Sequence, residues 1–277
     1  MEINKIYQTD ALEGLKELEN QSVDLIIIDP PYSTPVITAF GRKKVKNLAD
    51  LSIQEHFFKS LKIEFERVLK PNGRLFIFCD DKFYPILFAV FYDWLNIQLL
   101  VWDKGRIGMG RPIRKQHELI VYMNRESYNH NKNNQITHYP SILKFSHDKI
   151  KVHGAQKPIK LLEHLIFGFS DEGDVVLDCF AGSGNTLLAS KNLNRQFIGF
   201  ELNDKFCLEI NNRLSEIGET QTLIASQLTL PKAEGFNMGL EVSATPTPKS
   251  PKATSPNPNI KSLNSQNETK KTKKNKE

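Results

Sequence analysis

Residues 29 to 32 read Asp-Pro-Pro-Tyr, directly after the apolar run Val23-Asp24-Leu25-Ile26-Ile27-Ile28. A buried strand of that composition would deliver an acid, two prolines and an aromatic ring to its C-terminal end. In open α/β sheets that end is where ligands bind. Proline has no N–H and holds a fixed backbone angle. The carbonyls of Pro30 and Pro31 are therefore left to accept from a ligand. Asp29, the Pro30 carbonyl and the Tyr32 ring together suit a planar group that carries an NH2. A strand-terminating turn would also use proline, so the tetrapeptide alone leaves both readings open.

A second group lies far downstream. Residues 175 to 186 read VVLDCFAGSGNT. A strand would run into Asp178, then into Phe180-Ala181-Gly182-Ser183-Gly184, and Asn185 and Thr186 would open a helix. Glycines there permit a tight turn and close approach of backbone to a ligand, and a helix N-terminus follows. The next apolar stretch ends in Phe200-Glu201, which places an acid to accept from ribose hydroxyls. Together these features fit an adenosine-type cofactor. Only two of the three glycines of a dinucleotide fingerprint are present, which favours a ligand without a pyrophosphate. Taken singly, Asp178 could be a turn acid and Glu201 the N-terminal charge of a helix.

The elements around these groups alternate. Strands are expected at 3–7, 23–28, 74–79, 97–102, 118–123, 175–179 and 197–200. Helices are expected at 11–18, 53–69, 85–95, 158–169, 185–193 and 204–217, from apolar spacing and from Pro158 at a helix start. Pro71-Asn72-Gly73 reads as a turn. The alternation predicts a mostly parallel, doubly wound α/β sheet. Residues 1–225 are expected to form one catalytic domain, and 39% hydrophobic content suffices for its core. Residues 226–277 are expected to be a disordered basic tail, rich in Pro, Ser, Thr, Asn and Lys.

The net charge of +5 belongs to that tail. Residues 241–277 carry eight lysines and three acids, so the remaining 29 basic and 29 acidic residues cancel. A nucleic-acid footprint must then come from local clustering. Cys79, Cys179 and Cys207 are far apart, odd in number and set in or beside apolar runs. They show no metal-ligand spacing and no disulfide framework, which fits a reducing cytoplasm. Neither a signal peptide nor a membrane-length apolar run is expected.

With both groups in view, the chain resembles a DNA amino-methyltransferase that uses S-adenosyl-L-methionine (SAM). The elements Asp29-Pro30-Pro31-Tyr32 and Phe180-Ala181-Gly182-Ser183-Gly184 resemble that family's catalytic and cofactor motifs. The catalytic element comes first, which matches the circularly permuted beta class. The segment His153-Gly154-Ala155-Gln156-Lys157-Pro158 resembles the H-P-T-Q-K-P element, departing from it at residues 154 and 155. Residues 102–118 resemble the stretch before the target-recognition region. The likeness covers about residues 1–215 and implies a Rossmann-like, seven-stranded sheet with a small recognition insertion.

Carried over, the resemblance implies that Asp10 and the Ala11 backbone hold the adenine of SAM and that Glu201 holds its ribose. It implies that Asp178 and the turn 180–184, with Asn185 and Thr186 following, surround its methionine part. Lys157 would pair with the methionine carboxylate. The product of the cofactor would be S-adenosyl-L-homocysteine. An exocyclic amine is a poor nucleophile because its lone pair is delocalised into the ring. Asp29 and the Pro30 carbonyl would accept its two N–H bonds and aim the lone pair at the methyl group. Tyr32 would stack on a base flipped out of the duplex, and positioning would supply most of the rate. No cysteine nucleophile is required, and the Pro-Cys setting of a cytosine-C5 enzyme is absent. Asp rather than Ser at position 29 favours adenine N6 over cytosine N4.

The partner implied is double-stranded DNA. Lys104, Arg106, Arg111, Arg114, Lys115 and His117, with three glycines among them, form a basic loop suited to phosphates. Arg42, Lys43 and Lys44 follow the catalytic element and could close over a flipped base. Residues 124–152 are the candidate recognition segment. The resemblance also admits a homodimer, a companion restriction endonuclease and a bacterial cytoplasmic location. Rival readings are a cytosine-N4 enzyme, an RNA or protein-amide methyltransferase, and an inactive DNA-binding subunit. RNA and protein-amide enzymes of this kind generally carry the cofactor motif first, and the order here is the reverse.

Overall fold

The computed structural model describes residues 1–31, 51–108, 112–125, 139–148 and 156–227. Tyr32, Arg42, Lys43, Lys44, Arg111 and the tail from 228 onward lie outside the described residues, as does most of the recognition segment. The described chain forms β1 (Lys5–Gln8), α1 (Ala11–Lys16), β2 (Val23–Ile28), α2 (Leu51–Val68), β3 (Leu69–Cys79), α3 (Tyr84–Val90) and β4 (Asn96–Asp103). Then follow β5 (His117–Asn124), β6 (Ile142–Lys144), α4 (Ile159–Phe169), β7 (Val175–Asp178), α5 (Asn185–Asn192), β8 (Gln196–Glu201) and α6 (Asp204–Gln227).

One sheet carries these strands in the order β1-β8-β7-β2-β3-β5-β4-β6. The first five in that order pair parallel, while β5 is antiparallel to both β3 and β4. Strand side chains alternate between faces. Ile26, Ile28, Leu75, Ile77, Leu119 and Val121 pack with Leu15, Phe58, Leu61, Phe65 and Leu87 from α1, α2 and α3. Leu25, Ile27, Phe76, Phe78, Ile120 and Tyr122 face the other way, against Leu161, Leu162, Leu165, Ile166 and Phe169 of α4. Both faces are covered, as the near-continuous apolar character of β2 requires. No described helix is long and apolar enough to cross a membrane.

Four local differences from the sequence reading stand out. The Pro71-Asn72-Gly73 turn lies within β3 as an irregularity, because Val23 pairs Leu69 and Leu25 pairs Arg74, so residues 70–73 loop out of register. Helix α3 ends at Val90 rather than 95. There Trp94 turns back onto α2, its ring edge-on to Phe91 at 5.1 Å and its indole N–H donating to Glu66 at 2.9 Å. Helix α6 continues to Gln227, past the expected end at 217 and the expected domain boundary at 225. Among the described residues the sheet has eight strands rather than seven. The extra strand, β6, pairs with β4 and covers Trp102, whose indole N–H donates to the Phe145 carbonyl at 2.7 Å.

The single reversed strand matters for the site. Because β5 runs antiparallel, its first residues, His117 and Glu118, sit at the edge where the parallel strands end. The β4–β5 connection, residues 104–116, leaves from that same edge.

Candidate functional site

Four acids lie at the ends of neighbouring strands: Glu201 and Asp178 end β8 and β7, Asp29 directly follows β2, and Asp10 lies two residues past β1. Asp10 caps α1, accepting from the Leu12 N–H at 2.8 Å and the Glu13 N–H at 3.5 Å. Ala11 is buried behind it. Glu201 lies one strand away and reaches across to the glycine turn. Its Oε2 accepts from the Gly182 N–H at 2.8 Å and its Oε1 from the Asn203 N–H at 2.9 Å. Each oxygen keeps a further lone pair for a ligand hydroxyl.

The turn that follows β7 is built by its glycines. Gly182 and Gly184 have φ of +50° and +77°, the left-handed region that glycine occupies without strain. At Gly184 a Cβ would also meet Ile210 of α6 at 2.7 Å. Arg213, from the same helix, braces the turn: one guanidinium nitrogen donates to the Ser183 carbonyl and another to Asn185 Oδ1 at 2.8 Å. Asn185 in turn donates to the Lys157 carbonyl at 2.8 Å. Asp148 accepts from Gln156 and from the Ile159 N–H, both at 3.3 Å, and so caps α4 beside the same turn.

These pieces surround an open cavity at the ends of β2 and β7. Asp29, Gln156, Lys157, Asp178, residues 180–183, Asn185 and Thr186 line it. Of the residues singled out in the sequence, Asp29, Lys157, Asp178 and the glycine turn therefore share one cavity. Asp10, Ala11 and Glu201 flank it on the next two strands.

The electrostatics of this cavity are unusual. Asp178 is 4% exposed. Burial pushes its carboxyl up to about 7, against hydrogen bonds from Thr186 and the Phe180 N–H and with added repulsion from Asp29 and Glu201. A buried acid of this kind is poised for a cation. Lys157, expected to pair with a methionine carboxylate, is buried and engaged with protein acids. Its Nζ lies 2.6 Å from Asp29 Oδ2 and 3.2 Å from Glu118 Oε2. Burial alone would favour the neutral amine, but Asp29 and Glu118 outweigh it and raise the Lys157 pKa. Glu118 is likewise disfavoured by burial, yet Lys157 and Lys104 hold its carboxyl below the ordinary range.

Pro30 is buried and Pro31 half-buried directly after β2. Of the basic loop, Arg106, Arg114, Lys115 and His117 are exposed at the cavity's edge of the sheet. Lys115 pairs with Asp81, and Arg114 donates to the Gly108 carbonyl at 2.7 Å. Lys104 turns inward to Glu118 at 3.1 Å. The cysteines are buried thiols; burial pushes Cys79 up to about 12, which keeps it unreactive. The sequence reading gave Arg213 no role, took Glu118 only as the end of the stretch before the recognition region, and placed Asp148 in the candidate recognition segment. Glu118 did carry a signal, a lone acid opening the apolar strand ELIVYM. Arg213, on a helix with ordinary polar spacing, carried none.

A doubly wound sheet with an acid-lined cavity and a glycine turn at its C-terminal edge defines an α/β enzyme of the nucleoside-cofactor kind. The chain belongs to the DNA methylase family (N6_N4_Mtase), whose sequence model matches residues 23–212. It is 30% identical over 238 residues to the Type II methyltransferase M.HpaI of Haemophilus parainfluenzae, covering 74% of this chain and 72% of that one. Among solved structures, it resembles the PvuII DNA methyltransferase (cytosine-N4-specific) with a TM-score of 0.62 at 17% identity. That match covers 81% of this chain and 97% of that one. The M1.HpyAVI–SAM complex aligns with a TM-score of 0.54 at 28% identity, covering 76% of this chain and 98% of that one.

Proposed function

We propose that the protein transfers the methyl group of SAM to the exocyclic N6 amine of an adenine flipped out of double-stranded DNA, at a specific sequence. The observation that carries this reading is the position of Asp29, which ends β2 and lines the same cavity as the glycine turn. An acceptor for an amine and a cradle for a methyl donor are thereby adjacent. SAM as the cofactor is supported by the M1.HpyAVI–SAM complex and by the chemistry of the cavity. Asp178 is suited to the methionine ammonium, and Asp10 and Glu201 to adenine and ribose. SAM supplies an electrophilic methyl group on a sulfonium centre.

Asp29 and the Pro30 carbonyl accept from the two N–H bonds of the amine and orient its lone pair. With SAM bound, a bond would form between the amine nitrogen and the methyl carbon as the S–CH3 bond breaks, and the proton lost by the nitrogen would pass to the Asp29 carboxylate and on to water. The products are N6-methyladenine and S-adenosyl-L-homocysteine. Tyr32 stacks on the flipped base. Arg106, Arg114, Lys115 and His117 on the β4–β5 connection hold phosphates of the duplex. The catalytic element precedes the cofactor turn in the chain, the order of the circularly permuted beta class, and residues 1–225 form the catalytic domain. The same kinship supports a role beside a restriction endonuclease in a bacterial cytoplasm.

The cytosine-N4 specificity of the PvuII enzyme makes that base the second reading, and one assay separates them. The protein is incubated with labelled SAM and unmethylated DNA, and the DNA is digested to nucleosides. Label is expected in the N6-methyladenine nucleoside. Label in N4-methylcytosine would overturn the base assignment, and label appearing only with RNA or protein substrates would overturn the DNA assignment.

A further inference from the structure

Four charges of alternating sign form a chain at the C-terminal edge of the sheet. Asp29 Oδ2 and Lys157 Nζ are 2.6 Å apart, Lys157 and Glu118 3.2 Å, and Glu118 and Lys104 3.1 Å. Their side chains are 29%, 8%, 23% and 17% exposed in that order. The chain of charges spans four adjacent strands, from the end of β2 past β3 to the start of β5 and the end of β4. Aromatic rings insulate it: Lys157 Nζ lies 5.1 Å from the Phe78 ring centroid and Lys104 Nζ 5.8 Å from that of Trp102.

We propose that Lys157 and Glu118 are positioning residues for Asp29, acting as one unit that fixes the acceptor carboxylate relative to the methyl-donor turn. This rests on the proposed function and extends it to residues that do not touch the base. A free lysine side chain has four torsions and would hold a carboxylate loosely. Here the lysine is fixed at both ends. Its carbonyl accepts from Asn185, the first residue of α5 behind the glycine turn, at 2.8 Å. Its Nζ is pinned between two carboxylates in a low-dielectric setting, where such pairs are strong and broken ones are costly. Lys157 thus spans the gap between the donor turn and the acceptor acid.

Glu118 has two consequences for Asp29. It fixes the position of the Lys157 ammonium, and it offsets part of that ammonium's charge. Without Glu118, Lys157 would draw on Asp29 alone and would compete with the amine for the carboxylate lone pairs. The alternating, partly buried charge chain also explains why an acid opens the otherwise apolar strand β5. Methyl transfer in line demands that donor and acceptor keep their spacing, and a misplacement of about 1 Å can cost on the order of a hundredfold in rate.

The test uses the full chain, labelled SAM and duplex DNA, in single turnover at saturating SAM. Rates are normalised to active sites counted by SAM binding. The variants are Glu118→Gln, Lys157→Met and the two combined. Each single variant is expected to slow methyl transfer about tenfold or more, with the Kd for SAM within about threefold of wild type. The double variant is expected to be no slower than the slower single one, because both act through one unit. Losses that multiply would overturn the proposal, as would Glu118→Gln at the wild-type rate. A Lys157→Met defect confined to SAM affinity would also overturn it, and would assign Lys157 to the methionine carboxylate. If Lys157→Met fails to fold, the near-isosteric Glu118→Gln carries the test alone. A wild type that methylates DNA beside unaffected variants refutes the positioning unit and leaves the proposed function standing.

Discussion

A methionine ammonium held by Asp178, as proposed, would make cofactor binding a proton-linked event. The Asp178 carboxyl stands at about 7, against an ordinary aspartate value of 3.8, chiefly because the group is buried. The sign follows from that direction. Between the two values the folded, ligand-free protein holds a proton that the unfolded chain has released. Stability is therefore full below about pH 4 and is lost as pH rises through about 7. The shift of about three units corresponds to something on the order of 4 kcal/mol at most. A methionine ammonium placed against Asp178 would remove that cost and expel the proton. The affinity for SAM should then rise about tenfold per pH unit up to about pH 7 and level off above it. Isothermal titration calorimetry at about pH 6, in buffers of different ionisation enthalpy, reads the proton directly. About one proton should leave per SAM bound, and Asp178→Asn should abolish the release and flatten the pH dependence. A wild-type affinity that is constant between about pH 5.5 and 7, with no proton released, would refute the pairing of Asp178 with the ammonium.

Other perturbations read different parts of the site. Gly184→Ala puts a side chain on a residue with φ of +77° and against Ile210 at 2.7 Å. It should cost at least about 1–2 kcal/mol of stability from backbone strain, seen in denaturant unfolding, and weaken SAM binding. Arg213→Met removes two hydrogen bonds to Ser183 and Asn185. Hydrogen bonds from charged donors are worth about 1.5–3 kcal/mol each, so the Kd for SAM should rise about tenfold or more, with the fold retained by circular dichroism. Arg106→Ala and Arg114→Ala should each weaken DNA binding at all sequences alike and lower the salt slope of log K by about 1. An unchanged slope would remove that arginine from the phosphate contacts.

Much of the architecture was legible because each element carries its own periodicity. Val23–Ile28 is apolar throughout, and only a strand buried on both faces uses such a run. The spacing of Phe58, Leu61, Phe65 and Val68 turns one stripe of α2 inward. Asp29, Asp178 and the glycine turn could be picked out because chemistry there breaks the local pattern at strand ends. What the sequence could not supply was set by partners distant in the chain. The strand β6 pairs with the end of β4, and just past it the Phe145 carbonyl accepts from the indole N–H of Trp102, some forty positions earlier. The fate of Lys157 is the clearest instance. As a residue type it reads as a surface lysine or a ligand for a carboxylate, but the reversed direction of β5 brings Glu118 beside it and the end of β2 brings Asp29. Neither neighbour is near it in sequence, so no local signal could have announced the ion pair. Arg213 was silent for the same reason, its partners lying on the turn some thirty residues before it.

The central claim is that Asp29 is the acceptor that prepares a DNA amine for methylation, and Asp29→Ala tests it most directly. The variant and the wild type are given labelled SAM and unmethylated duplex DNA, with cofactor binding measured on the same preparations. The account predicts that methyl transfer to N6 of adenine is lost by at least about a hundredfold, in line with an interaction made only in the transition state, while the Kd for SAM changes by less than about threefold. Transfer at an undiminished rate by Asp29→Ala would contradict it.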